Sequence, residues 1–178
     1  MPSSRGTLDW SPAAGRAELL APPVAAVVGA VPGALVAPID PDVADTAAFC
    51  ETYDVALAAS ANCVVVAGKR AGVVTYAAVM VLATERADVN GAVRRHLDVR
   101  KISFAPMDDA VGLTGMEYGG ITPVGLPDDW PVLVDERVVA AGEVVVGSGL
   151  RRSKLLVTGA DLLALPGAQA LALAQPAG

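Results

Sequence analysis

The sequence predicts an α/β domain of the α+β kind: one mixed, largely antiparallel β-sheet with helices packed around it. Three observations carry this. Apolar runs of strand length outnumber helical patterns, two of them join through a short turn as a hairpin, and strands and helices do not alternate strictly as a βαβ chain requires.

The elements follow in order. Residues 1–17 are polar, with small residues and proline, and read as an N-terminal tail, loose or partly docked. A short helix is expected between Leu19 and Ala30, since Pro22 and Pro23 suit a helix's first turn and Pro32-Gly33 ends it. LVAPI at 35–39 reads as an edge strand, because Pro38 cannot donate to a central ladder. Asp42 to Tyr53 has acidic residues in its first turn and apolar Val43, Ala47, Phe49 and Cys50, the pattern of an amphipathic helix. CVVVAG at 63–68, a KRAG turn at 69–72 and VVTYAAVMVL at 73–82 form a hairpin of two buried strands. Asp88 or Asn90 can cap a helix running to Leu97. KISFA at 101–105 is a strand, and residues 106–115 are a short helix closed by a glycine. PVLVDE, EVVVGSG and KLLVTG are further strands, and GADLLALPG is a last short helix. The domain is expected over 18–170, with 171–178 as a C-terminal tail.

Composition narrows the function. Thirteen basic against 19 acidic residues give a net charge of −6, and 53% hydrophobic content with mean hydropathy +0.50 rules out disorder. That hydropathy comes from 34 alanines and 27 valines. The longest uncharged run, the 21 residues Leu19 to Ile39, is long enough to span a bilayer. Pro22, Pro23, Pro32 and Pro38 argue against it, because hydrocarbon offers no water to the carbonyls they orphan. No signal peptide is visible, so no membrane association and a cytoplasmic location are expected.

Cys50 and Cys63 stand thirteen apart in no CxxC pattern, and His96 is the single histidine, so neither a metal site, a cofactor nor a disulfide is signalled. Each cysteine reads as a small buried hydrophobe, and His96 as a solvated helix residue. The carboxylate pairs Asp108-Asp109, Asp128-Asp129 and Asp135-Glu136 read as solvated loop or capping residues. No GxSxG, GxxxxGK[ST] or post-strand GxGxxG occurs, which leaves hydrolase-elbow, nucleotide and dinucleotide readings without support.

Two features remain. Seven of the 13 cations fall in two segments, Arg94, Arg95, Arg100 and Lys101, then Arg151, Arg152 and Lys154. They are too few to coat a nucleic-acid backbone; they suit either contact with one end of an RNA or simply a solvated surface. The second feature is the stretch Thr114 to Gly125, with four glycines in twelve residues and Pro123 among them. Glycines let main-chain N–H groups approach a ligand, so such a loop suits either a pocket gripping a carbonyl or hydroxyl, or simply a tight turn.

The loop Gly119-Gly120-Ile121-Thr122-Pro123-Val124-Gly125, the Pro131 to Asp135 strand, and Val146-Gly147-Ser148-Gly149 leading to Asp161-Leu162-Leu163 together resemble the YbaK family. These are aminoacyl-tRNA deacylases related to the editing domain inserted in bacterial prolyl-tRNA synthetase. The resemblance runs from Leu19 to Pro166 and implies a metal-free hydrolase acting on mischarged aminoacyl-tRNA in trans, without a dedicated side-chain base. It implies that Gly119, Gly120, Ile121, Thr122 and Pro123 hold the aminoacyl group near the terminal adenosine, with Gly147, Ser148 and Gly149 on the facing wall. The partner is the acceptor end of the tRNA. A homodimer and association with an aminoacyl-tRNA synthetase are compatible with it.

One departure is visible. Where the family carries a lysine at the start of a strand, this chain has Asn62, and a carboxamide lacks the ammonium's charge. Lys69 lies too far along to replace it, whereas Lys101 or Lys154 can supply an ammonium from a neighbouring strand. If neither does, the alternative is a catalytically degenerate module that binds an aminoacyl or nucleotide-like ligand. A third expectation is self-association through a valine-rich strand edge.

Overall fold

The computed structural model describes residues 1–177. Its frame is two sheets packed face to face, with smaller layers on their outer sides.

The first sheet runs β1 (Ser11–Pro12), β2 (Leu35–Pro38), β9 (Ser153–Thr158) and β8 (Glu143–Gly147), all antiparallel. The second runs β10 (Ala168–Leu171), β7 (Val132–Asp135), β4 (Val73–Leu82), β3 (Ala61–Arg70) and β6 (Lys101–Phe104). Here β3 is antiparallel to both β4 and β6, while β7 is parallel to β4 and β10. A third ribbon pairs β5 (Glu85–Ala87) with β11 (Ala174–Pro176). Six of the eight strand pairings are antiparallel, so the expected mixed, largely antiparallel α+β architecture holds. The strands form three sheets instead of one.

Strand periodicity of two explains the layering. Val144, Val146, Leu155 and Val157 of the first sheet meet Met80, Leu82, Val132 and Val134 of the second in the central core. Their alternates face outward: Val145 and Leu156 pack under helix α2 (Thr46–Tyr53) with Phe49 and Cys50. Val79, Val81 and Leu133 pack on the opposite side with Val89, Val93 and Leu173. With so few aromatics, the core is filled by many small and β-branched side chains at both faces of each sheet.

The β3–β4 hairpin is longer than its sequence suggests. Lys69 and Arg70 pair within it, and only Ala71 and Gly72 turn, with φ of +50° and +79°. A two-residue turn of this hand needs positive φ at both positions, which Gly72 adopts without strain and Ala71 does not. The uncharged run 19–39 becomes helix α1 (Pro22–Val27), a 3₁₀ turn and β2. β2 is an inner strand, although β1 covers only Leu35 and Val36, so Pro38 faces no partner on that side. Among the described residues no helix is long and apolar enough to cross a membrane.

The expected helix at 42–53 splits into a 3₁₀ turn at Pro41–Val43, capped by Asp40, and α2. Asp88 caps the next one, accepting from Gly91 and Ala92 N–H, and its first turn is π-helical before α3 (Arg94–His96). Helix α4 (Met107–Thr114) ends at Gly115 with φ +68°, as expected.

Five strands and helices have no counterpart in the sequence reading: β1, β5, helix α5 (Glu136–Ala140), β10 and β11. Asp135 explains two of them. Expected at a solvated loop or cap, it is 3% exposed; one carboxylate oxygen caps α5 through Arg137 N–H. The other accepts from Leu173 and Ala174 N–H at 2.9 Å each, pinning the C-terminal segment. The N-terminal segment is docked as well, through Thr7 N–H to Tyr53 O and the pairing of β1. Helix α6 (Gly159–Leu163) is closed by a reciprocal cap between Thr158 and Asp161.

Candidate active site

A cleft of about 440 Å³ opens where the two main sheets meet. β3 enters it just after Ser60, which bridges to Val145 of β8. The start of β3 supplies Asn62 and Cys63, β8 ends in it at Gly147, and β9 contributes Lys154. Asp45 and Thr46 at the head of α2 close one side, and Tyr118, Gly119 and Ile121 of the glycine loop close another.

Lys154 is the dominant charge. Its neighbours Ser153 and Leu155 face the central core, and the alternation of β9 turns Lys154 toward α2, where it is 8% exposed. Its Nζ donates to Ala44 O at 3.2 Å and sits 5.1 Å from the centre of the Phe49 ring. No carboxylate pairs with it among the described residues. Burial, together with nearby Arg151, lowers its pKa, against the opposing pull of Cys50 and Asp45. An ammonium has three donors, so two remain for a ligand.

Asn62 also lines the cleft. Thr46 Oγ1 donates to its Oδ1 at 2.6 Å, which leaves its amide N–H donors without a protein acceptor among the described residues. Cys63 is half-buried in the wall, packed against the central core, and burial pushes its thiol up to about 12. Asn62 and Lys154 therefore share one cleft. Lys101 does not join them: it pairs with Lys69 across β6 and β3 and lines a separate groove.

Only part of the glycine loop reaches the cleft. Gly119 and Ile121 line it, whereas the Gly120 N–H is used by Glu117 O and its carbonyl accepts from Gly149 N–H at 2.7 Å. Thr122 is fully buried behind the wall, its N–H donating to Met116 Sδ at 3.5 Å, and Pro123 lines a small hollow on the far side. On the facing wall Gly147 is in the lining. Ser148 and Gly149 stand behind it: Ser153 donates to Leu19 O, and the Ser148 hydroxyl donates in turn to Ser153 Oγ at 2.6 Å.

The glycines have a steric reason. A Cβ on Gly147 would stand 2.5 Å from Gly120 O and 2.6 Å from Ile121 O. A Cβ on Gly120 would stand 2.7 Å from the Leu150 carbonyl. Backbone lies against backbone, and that contact holds the loop on β8.

Asp45, Thr46, Phe104 and Tyr118 were not singled out in the sequence. Asp45 and Thr46 read as the start of a helix, and nothing local shows that this helix end faces β3 and β9. No cluster of His, Cys, Asp or Glu suited to a metal occurs among the described residues.

The fold has solved counterparts. A candidate trans-editing enzyme for prolyl tRNA synthetase superposes with a TM-score of 0.73 at 24% identity, over 89% of this chain and 99% of that one. A hypothetical protein gives 0.69 at 21% identity, over 79% and 90%. A scaffold made by computational epitope backbone grafting gives 0.73 at 24%, over 89% and 100%. No curated protein matches the sequence. The family model of the aminoacyl-tRNA editing domain matches residues 40–165, a span that holds every side chain of the cleft, and the chain belongs to that family.

Proposed function

We propose that this protein hydrolyses the ester bond of mischarged aminoacyl-tRNA in trans, with Lys154 supplying the ammonium that the family resemblance puts at position 62. The observation that carries this is the cleft's charge pattern. It holds one carboxylate, Asp45, and one buried ammonium, Lys154, and the two are not ion-paired with each other. An aminoacyl ester presents the complement, an α-ammonium beside an ester carbonyl. Asp45 accepts from the α-ammonium, and Lys154 donates to the carbonyl oxygen, where negative charge develops as the nucleophile adds.

Water, or water oriented by the neighbouring ribose hydroxyl, attacks the carbonyl carbon. The acyl C–O bond breaks, releasing the free amino acid and the ribose hydroxyl. Asn62 N–H and the Thr46 hydroxyl add polar contacts at the same wall. The likeness to a candidate trans-editing enzyme for prolyl tRNA synthetase supports the choice of tRNA to try first. The protein is incubated with Ala and Cys esterified to the proline acceptor, within a panel of other mischarged tRNAs. Hydrolysis above the spontaneous rate is expected, and no hydrolysis of any member overturns the proposal.

Asn62 favours a second reading, a module that binds an aminoacyl or nucleotide-like ligand without turnover. Tight binding of labelled tRNA with no hydrolysis selects it.

A further inference from the structure

β6 is an outer strand of the five-stranded sheet, and three hollows follow one another along it. The cleft shares Asn62, Val64 and Phe104 with a second hollow of about 740 Å³. The second shares Asn90, Ile102 and Ser103 with a third of about 710 Å³. Lys69, Arg94, Arg100 and Lys101 line the third, with Asp109 as the carboxylate among them. None of these four cations is in an ion pair among the described residues, whereas nearby Arg70 is held by Asp98. In a chain of net charge −6, four free cations gathered on one groove are a local reversal of sign.

The aromatic residues point the same way. Phe104 is 66% exposed where the cleft meets the second hollow, and Tyr118, 57% exposed, stands in the cleft's lining. Phe49 and Trp130, by contrast, are buried in packing. Exposed aromatics followed by a cationic groove are the two parts of a single-stranded nucleic-acid site: bases stack on the rings whatever their identity, and the groove tracks the phosphates. Three residue steps of strand, roughly 10 Å, separate Phe104 from Lys101, a gap that a few nucleotides of extended strand bridge.

We propose that the outer edge of β6 is the track for a single-stranded 3′ end of RNA, the terminal base stacking on Phe104 and the upstream phosphates crossing the groove of Lys69, Arg94, Arg100 and Lys101. The proposal rests on the editing reading for what enters the cleft, but its test reads binding and not turnover.

The probes are fluorescein-labelled tRNA with its single-stranded 3′ end and the same tRNA trimmed of its last four nucleotides. Anisotropy titrations are run with the native chain, with Phe104→Ala, with the fourfold variant Lys69→Gln, Arg94→Gln, Arg100→Gln, Lys101→Gln, and with Arg151→Gln, Arg152→Gln. Every position changed in the first two variants is at the surface, and circular dichroism checks that each variant melts as the native chain does. The native protein is expected to bind intact tRNA more tightly than trimmed tRNA. Phe104→Ala weakens intact tRNA about tenfold and leaves trimmed tRNA unchanged. The fourfold variant weakens intact tRNA at least tenfold and flattens the salt dependence by roughly 0.7 in log–log slope for each phosphate that is no longer neutralised. Unchanged affinity and slope in the fourfold variant, or weakening confined to the Arg151 and Arg152 variant, overturns the track. Binding along β6 without hydrolysis keeps the track and removes the editing reading. Hydrolysis with an unaltered KM in both β6 variants keeps the editing reading and removes the track.

Discussion

Lys154 Nζ stands 5.1 Å from the centre of the Phe49 ring, so the buried ammonium of the cleft rests on an aromatic face in place of a carboxylate. A cation–π contact offsets only part of what burial costs an ammonium. The arrangement keeps the charge available to a ligand. Lys154→Met is therefore expected to lower kcat/KM by about 100-fold or more, in line with loss of one oxyanion donor. Its stability should stay within about 1 kcal/mol of native, because the relief of a buried charge is set against an orphaned Ala44 carbonyl. Thermal melting and steady-state kinetics on the same preparation check both halves; a large drop in melting temperature would mean a structural role.

The pH dependence has a definite sign. Burial of Lys154 in the folded state lowers its pKa below the ordinary 10.5. Activity that needs the ammonium falls as pH rises through this lowered value, within the alkaline range below 10.5, once spontaneous ester hydrolysis is subtracted. Over the same window the unfolded chain binds the proton that the folded chain has released, so this group's contribution to stability rises with pH. The destabilisation is fully present below the folded pKa. Lys154→Met should lose both dependences, as seen in pH–rate profiles and in urea midpoints measured across the alkaline range.

Asn62 and Lys154 share one cleft, which makes a rescue experiment decisive. Asn62→Lys alone breaks the 2.6 Å bond from Thr46 and puts a second ammonium beside the first, so its activity should be no higher than native. In the Lys154→Met background the same change should restore activity at least tenfold over Lys154→Met alone. The double-mutant cycle then shows a strong favourable coupling. Strict additivity of the two changes would end the idea that one ammonium can stand in for the other.

Two glycine-to-alanine changes should move stability in opposite directions. Gly147→Ala drives a methyl group against the carbonyls of Gly120 and Ile121, rigid backbone on both sides, and is expected to cost about 1–3 kcal/mol and to displace the loop. Gly112→Ala, inside α4 with no neighbouring atom within 4 Å, should gain about 0.5–1 kcal/mol and leave activity untouched. Urea unfolding of both proteins tests the contrast.

Both thiols should be unreactive at neutral pH. Burial pushes Cys63 up to about 12 and raises Cys50 as well, so little thiolate is present. Iodoacetamide at neutral pH is expected to leave native activity intact and to label denatured protein fully. Rapid loss of activity in the folded state would contradict this.

The sequence by itself determined the long strands and several of the helix ends. The valine runs of β3, β4 and β8, the Asp88 cap, the Gly115 stop and the proline breaks of 19–39 are local, set by side-chain shape and backbone freedom within a few residues. The glycine loop was legible for the same reason, as spacing along the chain, whereas Asn62 stood out only through the family resemblance. Tertiary structure alone decided which polar groups meet. Lys101 and Lys154 look equivalent as strand lysines, but β9 lies between β2 and β8 and turns Lys154 inward, while β6 is an outer strand and leaves Lys101 in the basic groove. Asp45 and Thr46 reach the cleft because α2 packs on the outer face of the first sheet, and Asp135 is buried because the C-terminal segment returns to it at Leu173 and Ala174. Such contacts join residues from 38 positions apart, as Asp135 and Leu173 are, to 110, as Lys154 and Ala44 are, and no local pattern of shape or charge encodes those distances.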